Sequence, residues 1–302
     1  MKIRKIAIVG AGTMGCSIAE NIGEKGFQVF LVDRTDELIS DAKSRLESSL
    51  DRRLEKWGIT EAEKRVTLGR IHFTTNLKDT ATCDLIIETV QEDAKVKKEV
   101  LANLDKICHP LTILASNTST FSITELAAAT KRSEKVIGLH FISPVVRVKM
   151  VEIVRGLNSS EQTVISIKDF VKSIDKIGVE VHDSPGFVTT RVITPFLNQA
   201  MNCLMEGVAS ASDIDTAIKL AFDLPAGPLE MADRMGLDTV LTSMERLFRD
   251  LGDFSFRPCP LLRKLVRAGH LGIKTGQGFF KYPRQKNDLE FEDDALFQEA
   301  KE

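Results

Sequence analysis

Residues 138–154 read GLHFISPVVRVKMVEIV, and two ionisable side chains break into its apolar runs. His140 follows Val136, Ile137 and Leu139, and Glu152 stands among Met150, Val151, Ile153 and Val154. A neutral imidazole can take a proton near neutral pH. A carboxylate on an adjacent strand that bonds the other ring nitrogen would fix the tautomer and stabilise the imidazolium once it forms. Such a pair suits the loss of a hydroxyl proton from a carbinol whose C–H leaves as hydride. In reverse, the imidazolium polarises a carbonyl. The plainer reading is a core histidine satisfied by a backbone carbonyl and a glutamate at an exposed strand edge. Spacing alone leaves both open.

A second stretch with chemistry in it is GAGTMG, Gly10 to Gly15. It follows an apolar run and opens a helical pattern, the context in which three glycines have a mechanism. Gly10 permits a tight turn, Gly12 removes a Cβ so that a pyrophosphate can approach the backbone, and Gly15 allows close helix packing. Thr13 and Met14 complete the turn, and the free N–H groups at the helix start favour phosphate. Asp33 ends the next apolar run, where a carboxylate can accept hydrogen bonds from both ribose hydroxyls and repels a 2′-phosphate. The expected cofactor is therefore NAD and not NADP. The alternative is a glycine turn without a ligand. A third stretch, ASNTSTFSI at 115–123, offers Ser116, Asn117, Thr118 and Ser119 to a substrate oxygen or the nicotinamide. Ser and Asn also cap helices, so both roles fit there.

The elements that must position these residues alternate. Strands are expected near 3–9, 27–32, 71–74, 85–88, 112–115, 136–141 and 150–154, with helices near 14–24, 37–57, 95–104 and 124–129. This rhythm implies right-handed crossovers and a mostly parallel sheet. After Asp183 the SPGF turn breaks the chain and the apolar spacing becomes helical, with a short strand possible at 279–282. The expectation is an α/β domain over 1–184 and an all-helical domain over 185–302, in which the charged 284–302 form a frayed or disordered tail.

The 302 residues are 43% hydrophobic and 28% charged with a formal net charge of −2. That is ordinary globular composition, without the charge excess of a nucleic-acid or anionic-membrane binder. No stretch approaches the ~20 apolar residues of a membrane span, and the N-terminal apolar run is too short for a signal-peptide core. Five scattered cysteines without a CxxC read as reduced, packed thiols of a cytoplasmic protein, with no support for a metal site or a disulfide framework.

Taken together, GAGTMG, IIETVQED with KVKKEV, LASNTS, KVIGLHF, KMVEIV, SPGFV and LGIKTGQGFF resemble the L-3-hydroxyacyl-CoA dehydrogenase family, and within it the single-function 3-hydroxybutyryl-CoA branch. The likeness runs in order from about residue 3 to 282. It implies a Rossmann-like N-terminal domain and a helical C-terminal domain used in homodimerisation. It also implies NAD-linked, reversible oxidation of the 3-hydroxyl of a short-chain (S)-3-hydroxyacyl-CoA. By position, His140 resembles the catalytic base, Glu152 its partner, and Ser119 the serine on the substrate 3-oxygen. Glu92 and Lys97 resemble residues near the nicotinamide ribose, and Asn117 joins the cofactor set. Two stretches depart from the family pattern. HFISP stands where the family writes HFFNP, so Ile142 and Ser143 replace Phe and Asn. GFVTTR stands where it writes GFVVNR, so Thr190 replaces a substrate-site Asn. The shorter hydroxyls keep a different acyl group, or a hydroxy acid without CoA, open as alternatives, with a non-catalytic NAD-binding protein as a third. Arg45, Arg52 and Lys56 fall near one helical face and could meet a CoA phosphate, or simply form a solvated face. Asn198 and Asn202 are expected at a helix or subunit interface, and the GPLE turn at 227–230 at a cleft or an ordinary helix start.

Overall fold

The computed structural model describes residues 3–56 and 58–283, and the expectation for 284–302 falls outside the described residues. The chain divides into two compact units, the first ending at Phe187 and the second beginning at Val188.

The first unit opens on β1 (Lys5–Val9), α1 (Thr13–Glu24), β2 (Gln28–Val32), α2 (Asp36–Glu55), α3 (Glu61–Gly69) and β3 (Ile71–Thr74). It continues with β4 (Leu85–Glu88), α4 (Ala94–Ile107), β5 (Ile113–Ser116), α5 (Ile123–Ala127) and β6 (Val136–Phe141). β7 (Met150–Arg155), α6 (Glu161–Ser173) and β8 (Ile177–His182) complete it. All eight strands form one sheet in the order β3-β2-β1-β4-β5-β6-β7-β8. β1 to β6 run parallel, which is the doubly wound nucleotide-binding order with its switch point between β1 and β4. Only β6 and β7 pair antiparallel. The physical reason is length: a parallel return needs a crossover of a dozen or more residues, and residues 142–149 are too few. α6 then supplies a crossover, and β8 pairs parallel to β7.

Helix starts follow local chemistry. Thr35 accepts the Leu38 N–H at 3.3 Å to cap α2, Asp93 accepts that of Val96 at 3.0 Å to cap α4, and Thr60 with Glu63 forms a reciprocal capping box on α3. Ile18, Ile22, Leu46, Ile167 and Phe170 place α1, α2 and α6 on one apolar layer of the sheet. Leu101, Leu104, Ile123 and Leu126 place α4 and α5 on the other. β4, β5 and β6 are buried along their whole length, as a sheet covered on both faces requires. The polar residues Glu88, Ser116 and His140 therefore sit inside apolar strands, at or next to their C-terminal ends.

The second unit is helical: α7 (Thr189–Met205), α8 (Ala211–Phe222), α9 (Pro228–Met235), α10 (Leu237–Leu251) and α11 (Pro260–Arg267). Leu197, Met201, Leu229, Val240, Met244 and Leu262 form its core. Asn198 is spent inside this unit: its side-chain oxygen accepts the Cys259 N–H at 2.9 Å and its amide donates to the Arg257 carbonyl at 2.9 Å. Asp215 caps α9 through the Leu229 and Glu230 N–H groups, both at 2.8 Å, so the GPLE turn is a helix start. Four elements differ from expectation. β8, α6 and α3 add a strand, a crossover and a further helix that the sequence reading left out. The strand considered at 279–282 does not form, because Gln277 makes only single bridges to Gly272 and Lys281.

That segment is held instead by Asp233 of α9. Its carboxylate accepts the N–H groups of Phe279 and Phe280 at 2.9 Å each and the Tyr282 hydroxyl at 3.0 Å. Asp233→Asn leaves one of these donors facing an amide N–H. It is expected to lower stability by about 1–3 kcal/mol, read as a lower denaturant midpoint. An unchanged midpoint would remove this clasp from the stability account.

Candidate active site

The turn after β1 is built by exclusion. Gly10 has φ +111°, and a Cβ there would lie 2.7 Å from the Thr89 backbone. A Cβ on Gly15 would lie 1.9 Å from the Gly10 oxygen, so Gly15 lets α1 start directly against the turn. A Cβ on Gly12 would meet nothing within 4 Å, so the space over that residue is open. Gly12 is the N-cap and brings no side chain to the first N–H groups of α1, where Thr13 and Met14 stand. Asp33 closes the turn from β2: its carboxylate accepts the Ala11 N–H at 2.7 Å and the Arg34 N–H at 2.7 Å. Each carboxylate oxygen keeps a further lone pair for a ribose hydroxyl. An open backbone approach, unsatisfied helix N–H groups and a tethered carboxylate are the features a dinucleotide requires. Arg45, weighed above as a phosphate ligand, donates to the Ala11 carbonyl at 3.3 Å. Cys16 lies beneath the same carbonyl at 3.2 Å, and burial pushes its thiol up to about 11, so it is inert packing.

At the ends of β4 and β5 a polar cluster forms. Glu88 accepts the Val90 N–H at 2.7 Å, the Lys97 ammonium at 2.9 Å and the Ser116 hydroxyl at 2.6 Å. Burial pushes the Glu88 carboxyl upward, against the pull of Lys97 and the other donors. The groups around its two oxygens are all donors, one of them the side chain of the fully buried Lys97. Lys97 also reaches Glu92 at 3.2 Å. Glu92 accepts the hydroxyls of Thr118 and Thr120, on either side of the half-buried Ser119. Asn117 donates its N–H to the Glu88 carbonyl at 2.8 Å and accepts the Phe141 N–H at 2.9 Å, which ties this cluster to β6.

His140 is 8% exposed and Glu152 fully buried. They are register partners across β6 and β7, and His140 Nδ1 lies 2.6 Å from Glu152 Oε2. A carboxylate accepts here, so Nδ1 carries the proton and Nε2 keeps its lone pair. The Phe187 ring is tilted against the imidazole at a centroid distance of 5.9 Å. The loop between the two strands is fastened by Lys176, whose ammonium donates to the Val145 and Val148 carbonyls at 2.6 and 2.7 Å. Burial, with Lys25 adding to it, pushes the Lys176 ammonium down. The first unit thus gathers the dinucleotide turn, Asp33, Glu92, Lys97, Asn117, Ser119, His140 and Glu152. Thr190 belongs to the second unit, as the second residue of α7, with its carbonyl accepting the Thr194 hydroxyl at 2.8 Å. The sequence reading passed over Glu88 and Lys176. A carboxylate closing the apolar run LIIE was a usable signal for Glu88, whereas nothing local marks the carbonyl partners of Lys176.

Comparisons with known proteins give the family. The model of the 3-hydroxyacyl-CoA dehydrogenase NAD-binding domain matches residues 5–184, and that of the family's C-terminal domain matches residues 186–282. The chain belongs to the 3-hydroxyacyl-CoA dehydrogenase family. It is an NAD-linked oxidoreductase with a Rossmann NAD-binding domain and a helical C-terminal domain. A Bacillus subtilis protein named probable 3-hydroxybutyryl-CoA dehydrogenase is 45% identical over 282 residues, 93% of this chain and 98% of that protein. Among solved structures, Mycobacterium tuberculosis FadB2 superposes with a TM-score of 0.92 at 37% identity, covering 94% of this chain and 100% of that one. (S)-3-hydroxybutyryl-CoA dehydrogenase from Ralstonia eutropha gives 0.89 at 41% identity, covering 94% and 100%.

Asp33→Ala tests the dinucleotide reading of the family's first turn. NADH affinity is expected to fall about 10- to 100-fold, as for the loss of a charge-assisted hydrogen bond, while NADPH is discriminated against less. Fluorescence titration with both nucleotides reads it, and unchanged NADH affinity would exclude Asp33 from the ribose site.

Proposed function

We propose that this dehydrogenase oxidises the 3-hydroxyl of a short-chain (S)-3-hydroxyacyl-CoA to the 3-ketoacyl-CoA, reversibly. The observation that carries this reading is the buried His140–Glu152 pair, 2.6 Å apart across β6 and β7. His140 Nε2, with its free lone pair, takes the hydroxyl proton as the carbonyl forms. Glu152 holds the ring by Nδ1–H and balances the positive charge that develops on it. Ser119 holds the 3-oxygen. Bound NAD would contribute the hydride acceptor. In the reverse direction the imidazolium returns its proton to the 3-oxygen. Gly12, the first turn of α1 and Asp33 hold the dinucleotide, while Glu92, Lys97 and Asn117 order its nicotinamide end.

The short chain rests on the relatives named above. Ser143 and Thr190, standing where the family pattern resembled by this chain carries amides, favour a second reading, an NAD-linked dehydrogenase of a 3-hydroxy acid without CoA. The enzyme is further proposed to be a homodimer through its second unit. Exposed apolar side chains there, Val192, Leu220 and Phe222 among them, support this. Five free cysteines, four of them buried, support a reducing cytoplasmic setting. No helix among the described residues is long and apolar enough to cross a membrane.

The deciding experiment is NADH consumption with acetoacetyl-CoA, longer 3-ketoacyl-CoAs and free acetoacetate. Turnover of acetoacetyl-CoA but not the free acid is expected, with kcat falling about 10²- to 10⁴-fold in His140→Ala. Turnover of the free acid alone would replace the main reading by the second. An unaffected His140→Ala variant would leave a dinucleotide-binding protein whose chemistry lies elsewhere.

A further inference from the structure

Glu88 is the one carboxylate at the end of a central strand that the mechanism above does not use. It is fully buried, as is Lys97 beside it. Two full charges with no exposure survive inside a protein only when each is compensated and every lone pair and proton has a partner. That condition is met here. Glu88 Oε1 accepts from Lys97 and from the Val90 N–H, and Oε2 accepts from the Ser116 hydroxyl at 2.6 Å and from Lys97 at 3.3 Å. The lysine is the joint of the arrangement, because it also meets the Glu92 carboxylate at 3.2 Å. The two carboxylates differ in setting: the Glu88 side chain is 0% exposed and that of Glu92 38%.

From Glu92 the network runs to the loop after β5. One oxygen, Oε1, accepts both the Thr118 and the Thr120 hydroxyl. Thr118 Oγ1 in turn accepts the N–H groups of Thr120 and Phe121, at 3.2 and 3.1 Å. Ser119 stands between the two pinned threonines. The position of its hydroxyl is therefore set by a carboxylate that is itself placed by Lys97. A lysine with four flexible carbons has little directional preference of its own. Its place is dictated from the buried side, by Glu88.

We propose that Glu88 is a positioning residue of the dehydrogenase. It acts through Lys97 to hold Glu92, and through Glu92 to hold the segment that presents Ser119. Lys97 meets Glu92 at Oε2, which leaves Oε1 to the hydroxyls of Thr118 and Thr120. The role of Ser119 rests on the function proposed above, whereas the Glu88–Lys97–Glu92 linkage does not.

The test is a double-mutant cycle in the full-length protein with Glu88→Gln, Lys97→Met and the double variant. NADH affinity is measured by fluorescence without acyl-CoA, and kcat and KM are measured with acetoacetyl-CoA. Glu88→Gln is expected to weaken NADH binding and lower kcat by about tenfold each, with KM for acetoacetyl-CoA unchanged. In the Lys97→Met background it should add little, because the route already lacks its joint. Multiplicative effects, or Glu88→Gln with wild-type kcat and NADH affinity and only a lower melting temperature, overturn the proposal. If Glu88→Gln does not fold, Ser116→Ala keeps the ion pair and loosens Glu88. A two- to threefold change in the same direction supports the proposal, and no change overturns it. Should the wild type turn over no acyl-CoA, the functional reading fails and the cofactor arm of the cycle still decides the linkage.

Discussion

The structure turns on one pairing, the antiparallel contact of β6 with β7 that sets Glu152 directly across from His140. Register in a sheet is discrete, and a slip of one residue would send the carboxylate to the opposite face. The short connection over 142–149 compels the strands to reverse. Val151 and Ile153 on β7, both fully buried, lock the register by needing the apolar face that Glu152 does not take. Lys176 adds a clamp on the loop itself, offering its ammonium to the Val145 and Val148 carbonyls. A buried imidazole and a fully buried carboxylate are costly groups to enclose singly. Enclosed together at 2.6 Å, they satisfy each other at one ring nitrogen and leave the second for chemistry.

A common rule governs the rest of the first unit. Apolar strands carry their polar residues at or near their C-terminal ends: Glu88 on β4, Ser116 on β5 and His140 on β6, with the glycine turn at the end of β1. These ends lie side by side because the sheet is parallel from β1 to β6, so groups far apart in sequence form one edge. Asn117 couples them, with its backbone on β4 and its side-chain oxygen on β6. The ends of β4, β5 and β6 are thus one hydrogen-bonded body within the first unit.

Much of this was legible from residues alone. The glycine turn and Asp33 announce themselves because a dinucleotide constrains backbone and charge within a short stretch. His140 and Glu152 stand out because ionisable groups are conspicuous in apolar runs. What escaped has a common cause, long-range partnership. β8 is an edge strand with Ile177 and Val179 exposed, so it lacks the continuous burial signal of its neighbours. Lys176 bonds carbonyls about thirty positions away, and no local pattern records that. Arg45 looked like one member of a charged face, yet its guanidinium serves the Ala11 carbonyl. The segment at 279–282 carries strand-like residues but is organised by the Asp233 carboxylate from another helix.

The central claim is that Glu152 acts on the chemistry by holding and charge-balancing His140. Glu152→Gln keeps the volume and a hydrogen-bonding group but removes the charge and allows the wrong tautomer, and it addresses the claim most directly. The account predicts that kcat with acetoacetyl-CoA falls about 10²- to 10⁴-fold while the NADH dissociation constant stays within about twofold of wild type. A Glu152→Gln enzyme whose kcat remains within a few-fold of wild type would contradict it.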